Sequence, residues 1–202
     1  MRGCTMKYSH LLLTAVLMIL VTPLTSVTAG PPDTSSSGTD EVIVGKEGAD
    51  KIDSGEGNDN IAGKGGNDLI EAGAGDDLIS GGEGDDKIRG GAGDDYIMGN
   101  DGSDTVEDGP GSDFINLGPG NDTMVYFLDN NKGYKDYAVG GEGDDTLIIV
   151  SDDIDDMMKN QIIKYYEQQN MVGADVGHVG KLNMTLGTSD FEHIMFATGF
   201  SF

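Results

Sequence analysis

The chain has one cysteine, no tryptophan and few basic residues, and each scarcity excludes a class of protein. With Cys4 alone among 202 residues, no disulfide framework can form within the chain. The 12 basic residues against 36 acidic ones leave a formal charge of −24. This charge excludes nucleic acid as a partner, because phosphate binding depends on Lys and Arg. Aromatic residues make up only 6% of the chain, a composition typical of disorder unless something neutralises the acidic side chains.

A long hydrophobic run is also missing, since the apolar stretch Leu11–Val21 is too short to span a membrane comfortably. It follows two basic residues and precedes the small residues Val27-Thr28-Ala29, an order typical of a secretory signal peptide. We therefore predict a signal peptide over 1–29, cleaved after Ala29, and a linker over 30–44. The mature protein is then secreted and has no membrane span. An uncleaved N-terminal anchor is the alternative.

Glycine is abundant, with 33 positions, and most of it belongs to a nine-residue repeat. The repeat runs unbroken from Gly45 to Val125, and a tenth copy spans Gly140–Ile148. GGAGDDYIM, at 90–98, is a representative copy. In all ten copies position 4 is Gly, position 6 is Asp and position 8 is aliphatic or Met. Glu41 and Ile43 fall on positions 6 and 8 of a degraded half-copy before the first full one.

The residue types of one copy predict a turn followed by a strand. Six glycine-rich residues can turn tightly, and three residues then extend, with the central side chain pointing inward. Two copies make one 18-residue turn of a flattened coil, which becomes stable only when such turns stack. The predicted core columns are Ile52, Ile70, Ile88 and Val106 on one side and Ile61, Ile79, Ile97 and Ile115 on the other.

The same stacking brings the position-6 aspartates into two columns. Strand spacing sets neighbours roughly 4.8 Å apart, where two unit charges repel by about 1 kcal/mol in water and roughly 3.5 kcal/mol at an effective dielectric near 20. Summed along the columns, this repulsion rivals the stability of a small domain. A hard cation between adjacent turns would remove it, and carboxylates with turn carbonyls suit Ca²⁺ best. The candidate metal ligands are Asp50, Asp59, Asp68, Asp77, Asp86, Asp95, Asp104, Asp113, Asp122 and Asp145.

These nonapeptides resemble the RTX, or hemolysin-type calcium-binding, repeat G-G-x-G-x-D-x-U-x. The resemblance implies an all-β fold, a parallel β-roll that forms a right-handed calcium-binding solenoid. It also implies a Ca²⁺ ion between each turn and the next on the same edge, held by the position-6 aspartate and turn carbonyls, and about seven interior sites in the contiguous copies. Four copies depart from the pattern at the first glycine, and we expect weaker sites around Asp104 to Asp122. The departures are Ser54, Ala72, Asp108 and Leu117.

Beyond the roll, predicted over 45–148 with an irregular insertion at 126–139, the pattern changes. We predict a helix over 152–170, capped by Ser151, and strands over 180–187 and 191–198. Together they form a small α+β cap over 149–202, since solenoid ends need covering. The helix has an apolar stripe that predicts its buried face, consisting of Ile154, Met157, Met158, Ile162, Tyr165 and Tyr166.

No catalytic arrangement stands out. The sequence has neither H-E-x-x-H nor G-x-S-x-G, which excludes the common zinc-protease and nucleophile-elbow motifs. His178 and His193 are the histidines beyond the leader. Glu192 adjoins His193 in a predicted strand, so the two side chains point to opposite faces and do not form an acid–base pair. We therefore expect a protein that is not an enzyme.

The sequence as a whole predicts a secreted protein whose roll folds on binding extracellular Ca²⁺. One alternative is a carbohydrate- or matrix-binding module on the same roll, which would bind polysaccharide or cell-surface matrix. Its stacking candidates are Tyr126, Tyr134 and Tyr137. The other alternative is a small secreted hydrolase that uses His178 and His193 in the C-terminal segment.

Overall fold

The computed structural model describes residues 27–28, 34–35, 38–131, 133–152, 154–169 and 185–198. Several sequence predictions lie outside these residues. They concern most of the signal peptide and linker, His178 and the first part of the strand predicted over 180–187. No helix in the described part of the chain is long and apolar enough to cross a membrane.

Among the described residues, sixteen strands form two parallel sheets of eight, and neighbours in a sheet are two places apart in sequence. The chain therefore alternates between the sheets as it coils, which confirms the predicted parallel β-roll. The odd-numbered sheet contains β1 (Val27–Thr28), β3 (Val42–Val44), β5 (Asn60–Gly65), β7 (Leu78–Glu83), β9 (Tyr96–Asp101), β11 (Phe114–Pro119), β13 (Lys135–Glu142) and β15 (Thr185–Ser189). The even-numbered sheet contains β2 (Thr34–Ser35), β4 (Lys51–Glu56), β6 (Leu69–Ala74), β8 (Lys87–Ala92), β10 (Thr105–Glu107), β12 (Thr123–Phe127), β14 (Thr146–Val150) and β16 (His193–Ala197).

Position 8 forms the core, in the two predicted columns. On one side Ile52 pairs with Ile70, and the column continues through Ile88 to Val106. The opposite column runs from Ile61 to Ile115 in the same register. All eight side chains are at most 2% exposed. The half-copy predicted before Gly45 is confirmed as well, since Ile43 pairs with Ile61 and is buried.

The strands are longer than the predicted three residues. From β4 to β11 all strands but β10 have six, as in β6, because positions 2 and 3 of the next copy continue the parallel pairing. Gly55, for example, pairs with Gly73, whereas position 1 between the two paired stretches has no pairing partner. At that position the buried hydroxyl of Ser54 donates to the carbonyl oxygen of Ala72 at 2.7 Å. The reversal of the chain is thus confined to positions 4 to 6.

Gly93, at position 4, shows why this turn requires glycine. Its φ of 139° strains any other residue by about 1–3 kcal/mol, and a Cβ would collide with the carbonyl oxygen of Gly75. We expect Gly93→Ala to lower the free energy of unfolding by at least that amount, measured by thermal unfolding in excess calcium. Gly48→Ala is the matched control, because a Cβ at this position-4 glycine meets nothing within 4 Å. Equal melting temperatures for the two variants would contradict the explanation.

The predicted insertion at 126–139 is a loop that leaves the sheets intact. Phe114 pairs with Tyr137, 23 positions away instead of the usual 18, so the loop between β12 and β13 carries five additional residues. β12 and β13 continue their sheets on either side of it. The irregularity is therefore narrower than predicted.

The helix of the C-terminal segment, α1 (Asp156–Gln169), starts later than predicted. Its N-cap is Asp155, whose Oδ1 accepts the N–H of Met158 at 2.7 Å. The predicted cap, Ser151, is wrong, since its hydroxyl instead donates to Asp129 at 3.1 Å. Within the predicted stripe Ile162 is buried in the core, but Met157 is 64% exposed. The side chains of the two stripe tyrosines lie outside the described residues.

The two strands after α1 join the roll. β15 pairs with β13, and β16 pairs with β14, both in parallel. They correspond to the strands predicted over 180–187 and 191–198, with described bounds of 185–189 and 193–197. The segment after the helix thus adds one more strand to each sheet.

Candidate metal sites

The turns between the two sheets line two edges of the roll, and all ten predicted aspartates lie in them. We call the edge that contains the turns before β4, β6 and β8 the first edge, and the edge that contains the turns before β5, β7 and β9 the second edge. The first edge carries Asp50, Asp68, Asp86, Asp104, Asp122 and Asp145, and the second carries Asp59, Asp77, Asp95 and Asp113. The structure therefore brings the predicted ligands into the two expected columns.

One oxygen of each aspartate in the columns is held by the preceding turn on its edge. The backbone N–H of Asp68 donates to Oδ1 of Asp86 at 2.8 Å, and the N–H of Asp86 donates to Oδ1 of Asp104 at 2.8 Å. The bonds repeat along both edges at 2.7–3.0 Å. Asp50 differs, since its Oδ2 accepts the N–H of Lys46 in its own turn. These bonds set the orientation of each carboxylate.

Position 5 forms a second series of bonds in the opposite direction. Oδ1 of Asn58 accepts the N–H of Asp76 at 2.9 Å, and Oδ1 of Asp76 accepts that of Asp94 at 2.9 Å. Most turns are therefore bonded through the N–H of position 6 to the turn after them and through the N–H of position 5 to the turn before them. The spacing between successive turns is fixed on both sides of the carboxylate.

The second oxygen of these carboxylates has no partner. Oδ2 is buried and lacks a hydrogen bond among the described residues in nine of the ten predicted ligands, all at most 3% exposed. A buried acceptor left unsatisfied costs about 1–3 kcal/mol, and more when it is charged. A buried acceptor without a partner that recurs in this way indicates a series of cation-binding sites. The nine are Asp59, Asp68, Asp77, Asp86, Asp95, Asp104, Asp113, Asp122 and Asp145.

The orphaned oxygens face space that glycine leaves open. A Cβ placed on Gly90 would lie 2.6 Å from Oδ2 of Asp95 and 2.7 Å from the carbonyl oxygen of Asp108. On the first edge a Cβ on Gly81 would contact Oδ2 of Asp86 and lie 2.8 Å from the carbonyl oxygen of Gly99. A carboxylate oxygen from position 6 of one copy and a carbonyl oxygen from position 1 of the copy stacked on it thus border the same gap. Both are calcium ligands, so the residues present fit this ion.

Burial raises the pKa of these carboxyl groups. The hydrogen bond from the preceding turn lowers the pKa of each group, and neighbouring carboxylates, such as Asp77 and Asp94 beside Asp95, raise it further. The pKa reaches about 6 in Asp77, Asp86 and Asp122, about 7 in Asp95 and Asp104, and about 8 in Asp113. Without a bound cation, several of these groups hold a proton near neutral pH.

Two residues of the columns, Asp136 and Glu192, are not among the predicted ligands. Asp136 follows Asp113 on the second edge, because its Oδ1 accepts the N–H of Asp113 at 3.0 Å. Tyr134 stands where position 4 requires glycine, which hid this copy, but the nine-residue distance from Asp136 to Asp145 was a usable signal. On the first edge the N–H of Asp145 donates to Oε2 of Glu192 at 2.8 Å. Glu192 therefore takes position 6 in the turn before β16.

Comparison with known families agrees with this geometry. A family model described as the RTX calcium-binding nonapeptide repeat matches residues 35–70, 63–97, 71–106, 98–126 and 132–148. Together these segments cover more than half of the chain. No curated protein and no solved structure gives a significant match.

Proposed function

Because the chain belongs to the RTX calcium-binding nonapeptide repeat family, we propose that it is a calcium-binding β-roll protein that folds on binding extracellular Ca²⁺. The position-6 aspartates, from Asp50 to Asp145, are the proposed ligands, together with turn carbonyls. The observation that carries the proposal is the buried, unpaired Oδ2 repeated along both edges. A divalent cation satisfies these oxygens and offsets the repulsion within each column.

Folding and calcium binding are coupled in this proposal. Each gap is bordered by oxygens from two successive turns, so a site exists only when the turns are stacked. The free energy of binding therefore contributes to folding. Extracellular calcium modules bind with dissociation constants of about 10⁻⁴–10⁻³ M, which keeps the chain unfolded at cytosolic calcium and folded outside the cell.

The number of proposed sites follows from the columns. Position-6 hydrogen bonds join five successive pairs of aspartates on the first edge, from Asp50 to Asp145, and four on the second, from Asp59 to Asp136. One ion in each gap between paired turns gives about nine ions. This exceeds the seven interior sites expected from the contiguous copies, because Asp136 and Asp145 extend one column each.

Secretion and the absence of catalysis are parts of the same proposal. Secretion is supported by the basic, apolar and small-residue order of the first 29 residues.

The absence of catalysis is supported by the contacts of the described histidine. Nε2 of His193 lies 2.9 Å from Oδ1 of Asp144. Its neighbour Glu192 is bonded to the backbone of Asp145 instead. These contacts give Glu192 and His193 separate structural roles.

The tyrosines offer no support for the carbohydrate- or matrix-binding alternative. Tyr126 is fully buried, and its hydroxyl donates to Asp136. Tyr137 has one ring face stacked on Phe114, with centroids 5.4 Å apart. Tyr134 is exposed, at 41%, and takes part in neither ring stack of the described residues. A sugar-binding platform built from these three side chains is therefore not proposed.

The test is a calcium titration of the chain followed by far-UV circular dichroism, with Mg²⁺ as the control ion. We expect a cooperative gain of β signal in the range of about 10⁻⁴–10⁻³ M Ca²⁺. Mg²⁺ should not produce it, because this smaller ion demands near-ideal octahedral geometry and dehydrates reluctantly. A signal that ignores calcium, or responds equally to Mg²⁺, would overturn the proposal.

A further inference from the structure

Asp108 departs from the repeat in a way that places a carboxylate inside the roll. It occupies position 1 of the eighth copy, where most copies have glycine. Its side chain is 0% exposed, and Oδ1 has no hydrogen-bond partner among the described residues. Oδ2 accepts the Nδ2–H of Asn131 at 3.1 Å. The regular repeat pattern assigns no role to a side chain at this position.

Asp108 joins two carboxylates of the second edge. One oxygen each from Asp108, Asp113 and Asp136 lies within 4.8 Å of the other two, and all three residues are buried. Oxygens that share a Ca²⁺ ion at about 2.3–2.6 Å lie no more than about 5 Å apart. The three carboxylates are therefore close enough to bind one ion together.

Asn131 provides an independent indication of a ligand, because it is an amide rather than an acid. It is 1% exposed, and its Oδ1 has no hydrogen-bond partner among the described residues, although its Nδ2 is bonded to Asp108. A buried amide oxygen without a partner costs about 1–3 kcal/mol. Amide oxygens are ordinary calcium ligands, so a cation in the cluster would satisfy this atom as well.

When ionised, the three carboxylates of the cluster need a positive partner that the described residues do not supply. None of the ion pairs formed by the described residues involves Asp108, Asp113 or Asp136. The hydrogen bonds they accept come from neutral donors. Asp136 accepts the N–H of Asp113 and the hydroxyl of Tyr126, Asp113 accepts the N–H of Asp95, and Asp108 accepts the amide of Asn131. Three buried carboxylates without a positive partner are strongly unfavourable.

We propose that Asp108, Asp113, Asn131 and Asp136 form an enclosed calcium site that holds its ion more tightly than the repeat sites do. Asp108 and Asn131, which lies five residues before Asp136, both occupy position 1, where none of the other copies has an acid or an amide. Ligand charge and rigidity separate tight calcium sites from weak ones by several orders of magnitude, so we expect at least about hundredfold tighter binding. The ion would tie the loop after β12 to the turn after β10, in the region where the sequence predicted weak sites.

This inference rests on the proposed function, since it assigns the same ion, and the test separates the two. Full-length chain is loaded with radioactive Ca²⁺, passed through gel filtration in excess unlabelled Ca²⁺, which keeps the roll folded, and analysed for the labelled calcium that it retains. We expect about one ion retained per wild-type chain, in keeping with a single site of this affinity. Asp108→Asn and Asn131→Ala should retain none. Asp101→Asn, at an exposed position of the neighbouring copy, is the control and should retain the ion.

The fold of each variant is checked by circular dichroism in excess calcium. Asp108→Asn keeps the shape of the side chain and removes a buried charge, and Asp108→Gly restores the residue usual at position 1, so at least one of them keeps the fold. Equal retention by wild type and a folded Asp108 variant, or no retention by wild type that still folds with calcium, overturns this site alone. A wild-type chain that neither retains calcium nor responds to it overturns the proposed function too.

Discussion

Without calcium, the chain is expected to gain β structure as the pH falls from about 8 toward 4, because acid neutralises the buried carboxylates. Burial raises their pKa from 3.8 to about 6 in Asp86, about 7 in Asp95 and about 8 in Asp113. A carboxyl group with a raised pKa binds its proton more tightly in the folded chain than in the unfolded one. Its destabilising effect is therefore complete above the folded pKa and disappears as the pH approaches 3.8.

In the presence of calcium, acidification should oppose folding instead of promoting it. Protons and Ca²⁺ compete for the same Oδ2 atoms, so acidification from pH 8 to 6, the interval in which these groups titrate, raises the calcium concentration needed for folding. Both predictions are tested by far-UV circular dichroism. The first is tested by a pH titration with chelator present, and the second by a calcium titration at each pH. A metal-free chain whose β signal is constant, or decreases on acidification, would contradict the explanation.

A matched pair of variants separates buried carboxylates from the overall charge of −24. Asp95→Asn and Asp101→Asn each remove one acidic group, but Asp95 is 2% exposed and Asp101 is exposed. In the metal-free chain, Asp95→Asn should move the pH midpoint of folding upward, because one fewer buried group needs a proton. Asp101→Asn should leave it nearly unchanged.

Replacing Asp86 by alanine is expected to have the largest effect of any single ligand change in calcium. Asp86 lies in the middle of the first edge, where its Oδ1 accepts the N–H of Asp68 and its Oδ2 borders the same gap as the carbonyl oxygen of Gly99. Losing a hydrogen bond to a charged acceptor costs about 1.5–3 kcal/mol. A loss of about 3 kcal/mol lowers the melting temperature in excess calcium by about 6–12 °C.

The same loss moves the calcium midpoint only modestly. Shared among about nine ions, about 3 kcal/mol raises the midpoint about twofold, because a tenfold change in free calcium is worth about 1.4 kcal/mol for each ion bound. Asp145→Ala should have a smaller effect on both quantities, since Asp145 is followed in its column by Glu192 instead of another aspartate. Both variants are compared by calcium titration and thermal unfolding. Equal effects would exclude a cooperative stack of sites.

The regular part of the roll was predictable because one nine-residue period determines both the core columns and the aspartate columns. Ile70 and Asp68, two residues apart in the same copy, repeat every 18 residues as stacked partners. Any sequence with that period places its position 8 in the core and its position 6 in the turn. The strand lengths were not predictable in the same way. They depend on backbone pairing of glycines such as Gly73, whose φ of 112° no side-chain pattern records.

Where the period breaks, prediction depended on contacts distant in sequence. Ser151 has the residue type of a helix cap, but a hydrogen bond to Asp129 on the preceding loop holds it elsewhere. The sequence pattern indicated only that Asp108 departs from the usual glycine. Its partner Asn131 could not be identified, because it lies 23 positions away across a loop of irregular length. Asp136 was hidden by the tyrosine at position 4. The missed residues thus lie where an insertion shifts the register.

The loop after β12 also shows what this architecture permits at its turns. Phe114 and Tyr137 stack as neighbours although five additional residues separate their strands. The next step on the first edge, from Asp145 to Glu192, spans 47 positions and includes α1, yet β14 and β16 remain paired. Parallel strands require alignment with each other and no fixed length of connection. The roll can therefore serve as a scaffold, in which whole peptides are grafted between adjacent coils while the stacked isoleucines beneath them keep their order.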